Sequence, residues 1–250
     1  VKSNTIHNIK IVLEYDGENY QGWQRQSHAP SIQKTLEDIL SQVLEKPTVV
    51  YGSSRTDSGV HAKAQVANFY SEKNLEPMKW MSIFNTQLPK DIRVIAVEEM
   101  KEDFHSQKKV HSKVYEYRIL NRPFASALDR HLCFLPQKID WHSIQKAMPY
   151  FLGEHDFKSF QGAGSTVKTT VRKILRFELY QESEHLYRFE IEGSGFLKQM
   201  VRAIIGTLLE VGEGKRTVES IPEVIAACDR QKAGRTAPAS GLCLVKINYK

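Results

Sequence analysis

The segment Gly52-Ser53-Ser54-Arg55-Thr56-Asp57-Ser58-Gly59-Val60-His61-Ala62 puts a guanidinium, a carboxylate and an imidazole into one turn-rich stretch. Val49-Val50-Tyr51 precedes it and Ala64-Gln65-Val66-Ala67-Asn68-Phe69-Tyr70 follows it, both apolar enough to be strands. A loop held by strands at both ends aims its side chains with little entropy left to lose, and binding and catalytic groups concentrate on such loops. A carboxylate placed there can serve as a general base or as a nucleophile. Residue type alone also allows a plain turn, with Asp57 bonding its own backbone, and on type alone the turn is the stronger reading. His61 and His105 invite a metal reading. Asp57-x-x-x-His61 plus one distant histidine lacks a second clustered carboxylate, so no metal site is expected.

Two further positions carry polar groups where packing does not require them. Arg202 lies at the edge of a helical stripe formed by Phe196, Met200, Ile204 and Leu208. Its neighbours three and four residues away are Lys198, Gln199, Ile205 and Gly206, none acidic, so its own helix offers no counter-ion. A half-buried arginine must then find a carboxylate elsewhere or meet a phosphate. The alternative, a side chain snorkelling to solvent, is the stronger reading on these grounds alone. Tyr115, Tyr117 and Ile119 share one face of their strand because side chains alternate, which by itself is ordinary core packing.

The elements that must hold these groups are legible from periodicity. Ile9, Ile11, Leu13 and Tyr15 alternate as in a strand. Ser31 caps a helix with the stripe Ile32, Leu36, Ile39, Leu40, Val43 and Leu44, and Pro47 lies beyond its end. A second helix starts near Pro77, with Met78, Met81, Phe84 and Leu88 on one side, and residues 92–100 form a further strand. The order is β-α-β-β-α-β. The second half repeats it: a strand at 114–120, a helix capped by Asp140 and kinked at Pro149, a hairpin of residues 171–180 and 186–191, a helix at 196–211, and a last strand at 242–249. An extra helix begins near Pro222 and stops before Gly234, and residues 153–170 are the longest expected loop. The expected class is α+β, with two ferredoxin-like subdomains built on antiparallel sheets. The expected division is 1–104, carrying the Asp57 loop, and 105–250, carrying Tyr115, Arg202 and most of the basic charge.

Composition narrows the class. The 250 residues can bury a core without staples. Cys133, Cys228 and Cys243 are odd in number and far apart, which supports neither a disulfide framework nor a zinc knuckle and fits reduced thiols in the cytosol. No apolar run reaches the ~20 residues of a membrane span, and residues 1–10 lack the apolar core of a signal peptide. The net charge is +6. It is uneven: residues 1–104 hold 12 Lys+Arg and 14 Asp+Glu, whereas residues 105–250 hold 23 and 15. A basic half beside a nearly neutral one suggests a polyanion bound mainly by the second half; a generic basic surface explains the charge equally well.

Five motifs in order resemble those of the tRNA pseudouridine synthase A (TruA-type) family. They are Tyr15-Asp16-Gly17 with Tyr20-Gln21-Gly22-Trp23-Gln24-Arg25-Gln26; the Arg55–Ala62 loop; Lys113-Val114-Tyr115-Glu116-Tyr117; Gly195-Phe196-Leu197 with Met200-Val201-Arg202 and Gly206; and Thr236-Ala237-Pro238-Ala239-Ser240-Gly241-Leu242. Two positions depart from the pattern. Ser54 stands where the family usually has Gly, and Ser106-Gln107-Lys108-Lys109-Val110 replaces a usual A-R-x-x-A, which removes one expected RNA-contacting arginine. The resemblance implies a cofactor-free isomerase that converts uridine to pseudouridine in the anticodon stem-loop of tRNA, with the antiparallel sheets of the two subdomains flanking a central RNA-binding cleft. It implies catalytic roles for Asp57, Tyr115 and Arg202, with Arg202 paired to Asp57. It further implies substrate contacts by Arg55, His61, Lys113 and Phe196, a homodimer, a cytoplasmic location, no membrane, and no metal requirement. Either nucleophilic addition or abstraction of the C2′ proton suits Asp57. The Gly-rich loop around Gly17, Gly22, Trp23 and Gln24 lacks the spacing of a phosphate loop and reads as a tight turn that supports RNA or the Asp57 loop. The rival from another class is a non-catalytic RNA-binding protein with two ferredoxin-like domains; the aromatic signature of an RNA-recognition motif is missing.

Overall fold

The computed structural model describes residues 5–250, so the first four residues of the polar N-terminal stretch lie outside the described residues. The chain divides into two units, Val1–His111 with Leu244–Lys250, and Ser112–Cys243. The first unit runs β1 (His7–Tyr15), α1 (Ile32–Leu44), β2 (Tyr51–Gly52), β3 (His61–Ser71), α2 (Pro77–Gln87) and β4 (Ile92–Met100). β1 is central and antiparallel to both β3 and β4, and β2 pairs antiparallel with β3. The alternation of β1 decides its face: Ile9, Ile11, Leu13 and Tyr15 are all buried. α1 starts where Ser31 accepts a hydrogen bond from the Lys34 amide, and it ends at Glu45, which adopts a left-handed φ of 56°. Its residues Ile32, Leu36, Leu40 and Leu44 lie on the buried side.

α2 corrects one expectation. Met78 is 69% exposed, and the buried stripe is Trp80, Phe84 and Leu88. The aromatic rings set this phase. Trp80 and Phe84 meet Phe69 of β3 edge-on at 5.1 and 5.9 Å, and burying two large rings outweighs burying a methionine. Met78, two residues before Trp80, is thereby rotated to the far side of the helix.

The second unit contains β5 (Val110–Asn121, from Ser112 onward), β6 (Cys133–Leu135), α3 (Trp141–Ala147), β7 (Gly153–Asp156), β8 (Val171–Gln181), β9 (Leu186–Gly193), α4 (Met200–Gly212) and α5 (Ile221–Ala226). β9 lies between β5 and β8 and is antiparallel to both. Two short strands were not expected. β6 runs parallel to the end of β5, and β7, inside the anticipated loop of residues 153–170, pairs with the start of β8. α3 gives way at Met148 to a 3-10 turn containing Pro149, the kink that proline imposes. α5 ends at Ala226, well before Gly234.

α4 also begins later than its apolar spacing suggests, at Met200 rather than Phe196. Gln199 takes a left-handed φ of 59°, which interrupts helical geometry and leaves Gly195–Lys198 outside the helix. From there α4 is buried on nearly every side, as its largely apolar sequence requires, with Arg202 and Glu210 outside the buried set. The last strand, β10 (Leu242–Tyr249), pairs with β3, and its residues from Leu244 belong to the first unit. The class is α+β. Among the described residues no helix is long and apolar enough to cross a membrane.

Candidate active site

The loop carrying Asp57 is fixed through its backbone. It leaves β2 at Gly52, and the Ser53 amide donates to the Val66 carbonyl of β3 at 2.8 Å. Next, the fully buried Gln65 side chain clamps Ser54 on both of its backbone groups. Its Oε1 accepts from the Ser54 amide (3.2 Å) and its Nε2 donates to the Ser54 carbonyl (2.6 Å). The Thr56 hydroxyl meets the Tyr15 hydroxyl at 2.9 Å in a buried contact. Beyond Asp57, the Val60 amide donates to the Asp57 carbonyl (3.1 Å), and Gly59, at φ 76°, makes the turn back into β3.

The Gly-rich loop after β1 forms the floor beneath this segment. The Trp23 amide donates to the Thr56 carbonyl, and the Tyr20 carbonyl accepts from the Gly59 amide and the Ser58 hydroxyl. Gly22 sits at φ 85°, and a Cβ there would fall 2.4 Å from the Thr56 oxygen and 3.0 Å from the Asp57 carbonyl carbon. A Cβ on Gly17 would meet the Val60 oxygen at 2.1 Å. Both glycines are needed because backbone lies directly on backbone. This loop therefore supports the Asp57 segment, one of the two roles its composition allowed. His61, at the start of β3, accepts from the Gly17 amide through Nδ1 (3.1 Å), with the Asp16 carboxylate 3.0 Å from the same nitrogen.

A second tier fixes the approach to the loop. On α1, Gln33 and the buried Glu37 form a polar cluster inside an otherwise apolar stripe. Glu37 accepts from the Val50 amide, the Gln33 side chain and Arg25, while Gln33 donates to the Val50 carbonyl and accepts from the Arg25 amide. The departure at Ser106-Gln107 is structural here. Ser106 donates to the Tyr51 carbonyl at 2.5 Å and Gln107 to the Gly52 carbonyl at 3.0 Å, so both brace β2. The His105 ring packs 4.9 Å from Tyr51 while Nδ1 accepts from the Gln107 amide. Burial, then Lys108, pushes its pKa down.

In the second unit, Tyr115 is buried on β5 and meets Phe196 edge-on at 5.3 Å. Phe196 lies on the turn before α4, and Lys113 is two residues along β5 on the face of Tyr115. Tyr117, the next tyrosine on that face, is core. Its hydroxyl donates to the Pro238 carbonyl (2.8 Å), and burial pushes its pKa well above the ordinary phenol range, so it stays a neutral donor. Arg202 lies on the first turn of α4 and is part-buried. Its Nε donates to the Ala237 carbonyl (2.7 Å), and the Ala237 amide returns a bond to the Arg202 carbonyl (3.0 Å). The 235–241 segment lies so close to α4 that a Cβ on Gly206 would fall 1.7 Å from the Arg235 oxygen. Thr207 adds a bridge, accepting from the Gly234 amide and donating to the Ala203 carbonyl.

The structure thus sets Asp57 and His61 at the two ends of one braced turn, with Arg55 exposed before it. It separately brings Tyr115 and Phe196 into ring contact and seats Arg202 against Ala237. Sequence reasoning missed Gln65, Gln33 and Glu37. The available signal was amide and carboxylate side chains inside apolar runs, where a polar group must have partners.

A model of the tRNA pseudouridine synthase family matches residues 11–107 and 147–250. Curated relatives match over almost the whole length. A protein of Acetivibrio thermocellus named tRNA pseudouridine synthase A is 44% identical over 245 residues, 98% of this chain and all of that protein. A protein of Clostridium perfringens named tRNA pseudouridine synthase A 2 is 45% identical over the same shares. A tRNA pseudouridine synthase A of Ruminiclostridium cellulolyticum is 44% identical, again over 98% of this chain and all of its own.

Proposed function

The chain belongs to the tRNA pseudouridine synthase family, and on that premise we propose that it isomerises uridine in the anticodon stem-loop of tRNA, with Asp57 as the catalytic carboxylate. The observation that carries this reading is the seating of Asp57. Its loop is hydrogen-bonded on both flanks and rests on Gly22 with no room for a methyl group, which is the preorganisation a reacting group needs.

The reaction breaks the N1–C1′ bond of uridine, turns the base and rejoins it through C5. Atoms and electrons balance within the nucleotide, so no oxidant or reductant is required, and this reading assigns no step to a metal. A uridine in a stem must first leave its stack. Arg55, exposed two residues before Asp57, fills the vacated space or holds the adjacent phosphate. Tyr115, with Phe196 against its edge, stacks on the extruded uracil and assists proton transfer from C5. Arg202 is the cation that keeps Asp57 ionised, and a part-buried guanidinium with its Nε already oriented suits that role. Lys113 contacts the substrate from the strand that carries Tyr115, and His61 contacts it from the far end of the Asp57 loop. We further propose that the protein works as a homodimer in the cytoplasm.

The test is incubation with unmodified tRNA transcripts and mapping of pseudouridine at every position, with and without chelator, on tRNA whose folding is verified in each arm. Pseudouridine in the anticodon stem-loop in both arms is expected. Pseudouridine confined to another region would refute the assigned position, and rescue by one specific divalent ion on folded tRNA would refute a metal-free reaction. Deuterium at C2′ tests one of the two routes open to Asp57: a primary isotope effect on single-turnover formation assigns proton abstraction.

A further inference from the structure

Arg172, at the start of β8, is a half-buried guanidinium with no carboxylate partner among the described residues. Its Nη1 donates to two carbonyls, Thr169 (2.9 Å) and Val171 (2.6 Å). A guanidinium has five N–H donors, and those two bonds engage both hydrogens of Nη1. The remaining three belong to Nε and Nη2, the edge with which arginine grips a phosphate bidentately. Neither atom has a partner among the described residues. A part-buried cation in this state is costly unless an anion arrives from outside, and burial alone pulls its pKa below the usual value.

The surroundings keep that edge open and place it beside the proposed substrate contacts. The start of β8 is sewn to the turn before α4: the Ser194 amide donates to the Lys173 carbonyl (2.9 Å), and the Lys173 amide donates to the Ser194 hydroxyl (3.2 Å). The next residue is Gly195, where a Cβ would lie 3.8 Å from Arg172 Nε. Gly195 therefore leaves the edge uncovered, and it directly precedes Phe196, which touches Tyr115. A second cation is held on the same turn, where Lys198 donates to the Ala163 carbonyl (2.8 Å) while the Gly162 amide donates to the Lys198 carbonyl.

We propose that Arg172, with Lys198 as a supporting cation, is a phosphate-binding subsite that grips the RNA backbone next to the nucleotide extruded onto Tyr115. This rests on the tRNA-modifying reading above and adds to it the residue that anchors the strand. The two carbonyls orient the guanidinium before RNA arrives, so little side-chain entropy is lost on binding.

The experiment uses the full-length protein and tRNA assembled by ligation with one uncharged methylphosphonate linkage, moved in turn across the linkages flanking the target uridine. Wild type is expected to lose affinity at one linkage. Arg172→Gln is expected to bind all-phosphate tRNA more weakly, to lose nothing further at that linkage, and to reduce the slope of log K against log salt by ~0.7–0.9, the contribution of one phosphate. Over a fourfold salt range that is about a threefold smaller loss. Equal linkage sensitivity in wild type and variant, or an unchanged slope, overturns the proposal. If melting shows that Arg172→Gln does not fold, Gly195→Ala takes its place. Its methyl makes only ordinary contact at 3.8 Å, it keeps the charge, and it should blunt sensitivity at the same linkage; full sensitivity there overturns the proposal. Pseudouridine formation by wild type on the same tRNA tests the underlying activity separately.

Discussion

Replacing Gly22 with alanine should disable the enzyme without disabling its grip on tRNA. The residue touches no substrate in this account; it is the floor under Thr56 and Asp57. Alanine introduces two costs. At φ 85° an L-residue with a Cβ is disfavoured by about 1–2 kcal/mol. The new methyl also lies 2.4 Å from the Thr56 oxygen and 3.0 Å from the Asp57 carbonyl carbon, so the loop must retreat by about 1 Å to reach ordinary contact. That retreat strains the bond from the Trp23 amide to the Thr56 carbonyl, worth about 1 kcal/mol. A total of roughly 2–3 kcal/mol corresponds to a Tm lower by about 4–12 °C for a chain of this size. A displacement of about 1 Å at a reacting group costs on the order of 100-fold in rate. The assay is single-turnover pseudouridine formation at saturating enzyme, beside tRNA binding and thermal melting. Gly214→Ala isolates backbone strain, because Gly214 has φ 70° and nothing within 4 Å of an added Cβ; it should lower Tm modestly and leave the rate alone. A Gly22→Ala enzyme that melts lower yet turns over at the wild-type rate would refute the claim that Gly22 positions Asp57.

Arg202→Met should reduce the single-turnover rate far more than stability and move the acid limb of its pH profile upward, since in the proposed pairing Asp57 loses the cation that favours its ionised form. Arg202→Lys should recover part of the rate, and a wild-type profile in the methionine variant would remove Arg202 from the site. Glu213 reports on stability instead. Hydrogen bonds from Arg235, opposed by burial and assisted by Lys215 and Gln137, lower its pKa from 4.5 to about 2. A depressed carboxylate stabilises fully above its unfolded value and loses that contribution as pH falls through the folded one. Glu213→Gln should therefore be less stable than wild type at neutral pH, with the difference shrinking between about pH 4.5 and 2. Equal acid-unfolding curves would show that the Arg235 pair does not contribute.

Much of this architecture is legible in the chain. Alternation in β1, the Ser31 cap and the apolar phase of α1 all agree with one another, and local signals that agree are the ones a fold obeys. The failures have distinct physical causes. An apolar stripe through Met78 points it to the buried side, but ring packing by Trp80 and Phe84 against Phe69 sets the phase. Apolar spacing continues N-terminally to Phe196, whereas the left-handed Gln199 is a backbone choice that spacing does not report. β6 and β7 are too short to show a period and exist through pairing with β5 and β8. At the site, residue types gave Asp57 as a loop carboxylate, while its role came from the resemblance. The clamp of Gln65 on Ser54 joins residues on two different segments, and only the fold brings them together.

The central claim is that Asp57 does the chemistry. Asp57→Asn keeps the volume and removes the charge, and affinity for tRNA is governed mainly by phosphate contacts. Pseudouridine formation and tRNA binding should be measured on the same preparation of the variant under single-turnover conditions. No detectable pseudouridine is expected, with binding close to wild type. Turnover at a rate comparable to wild type would contradict that claim.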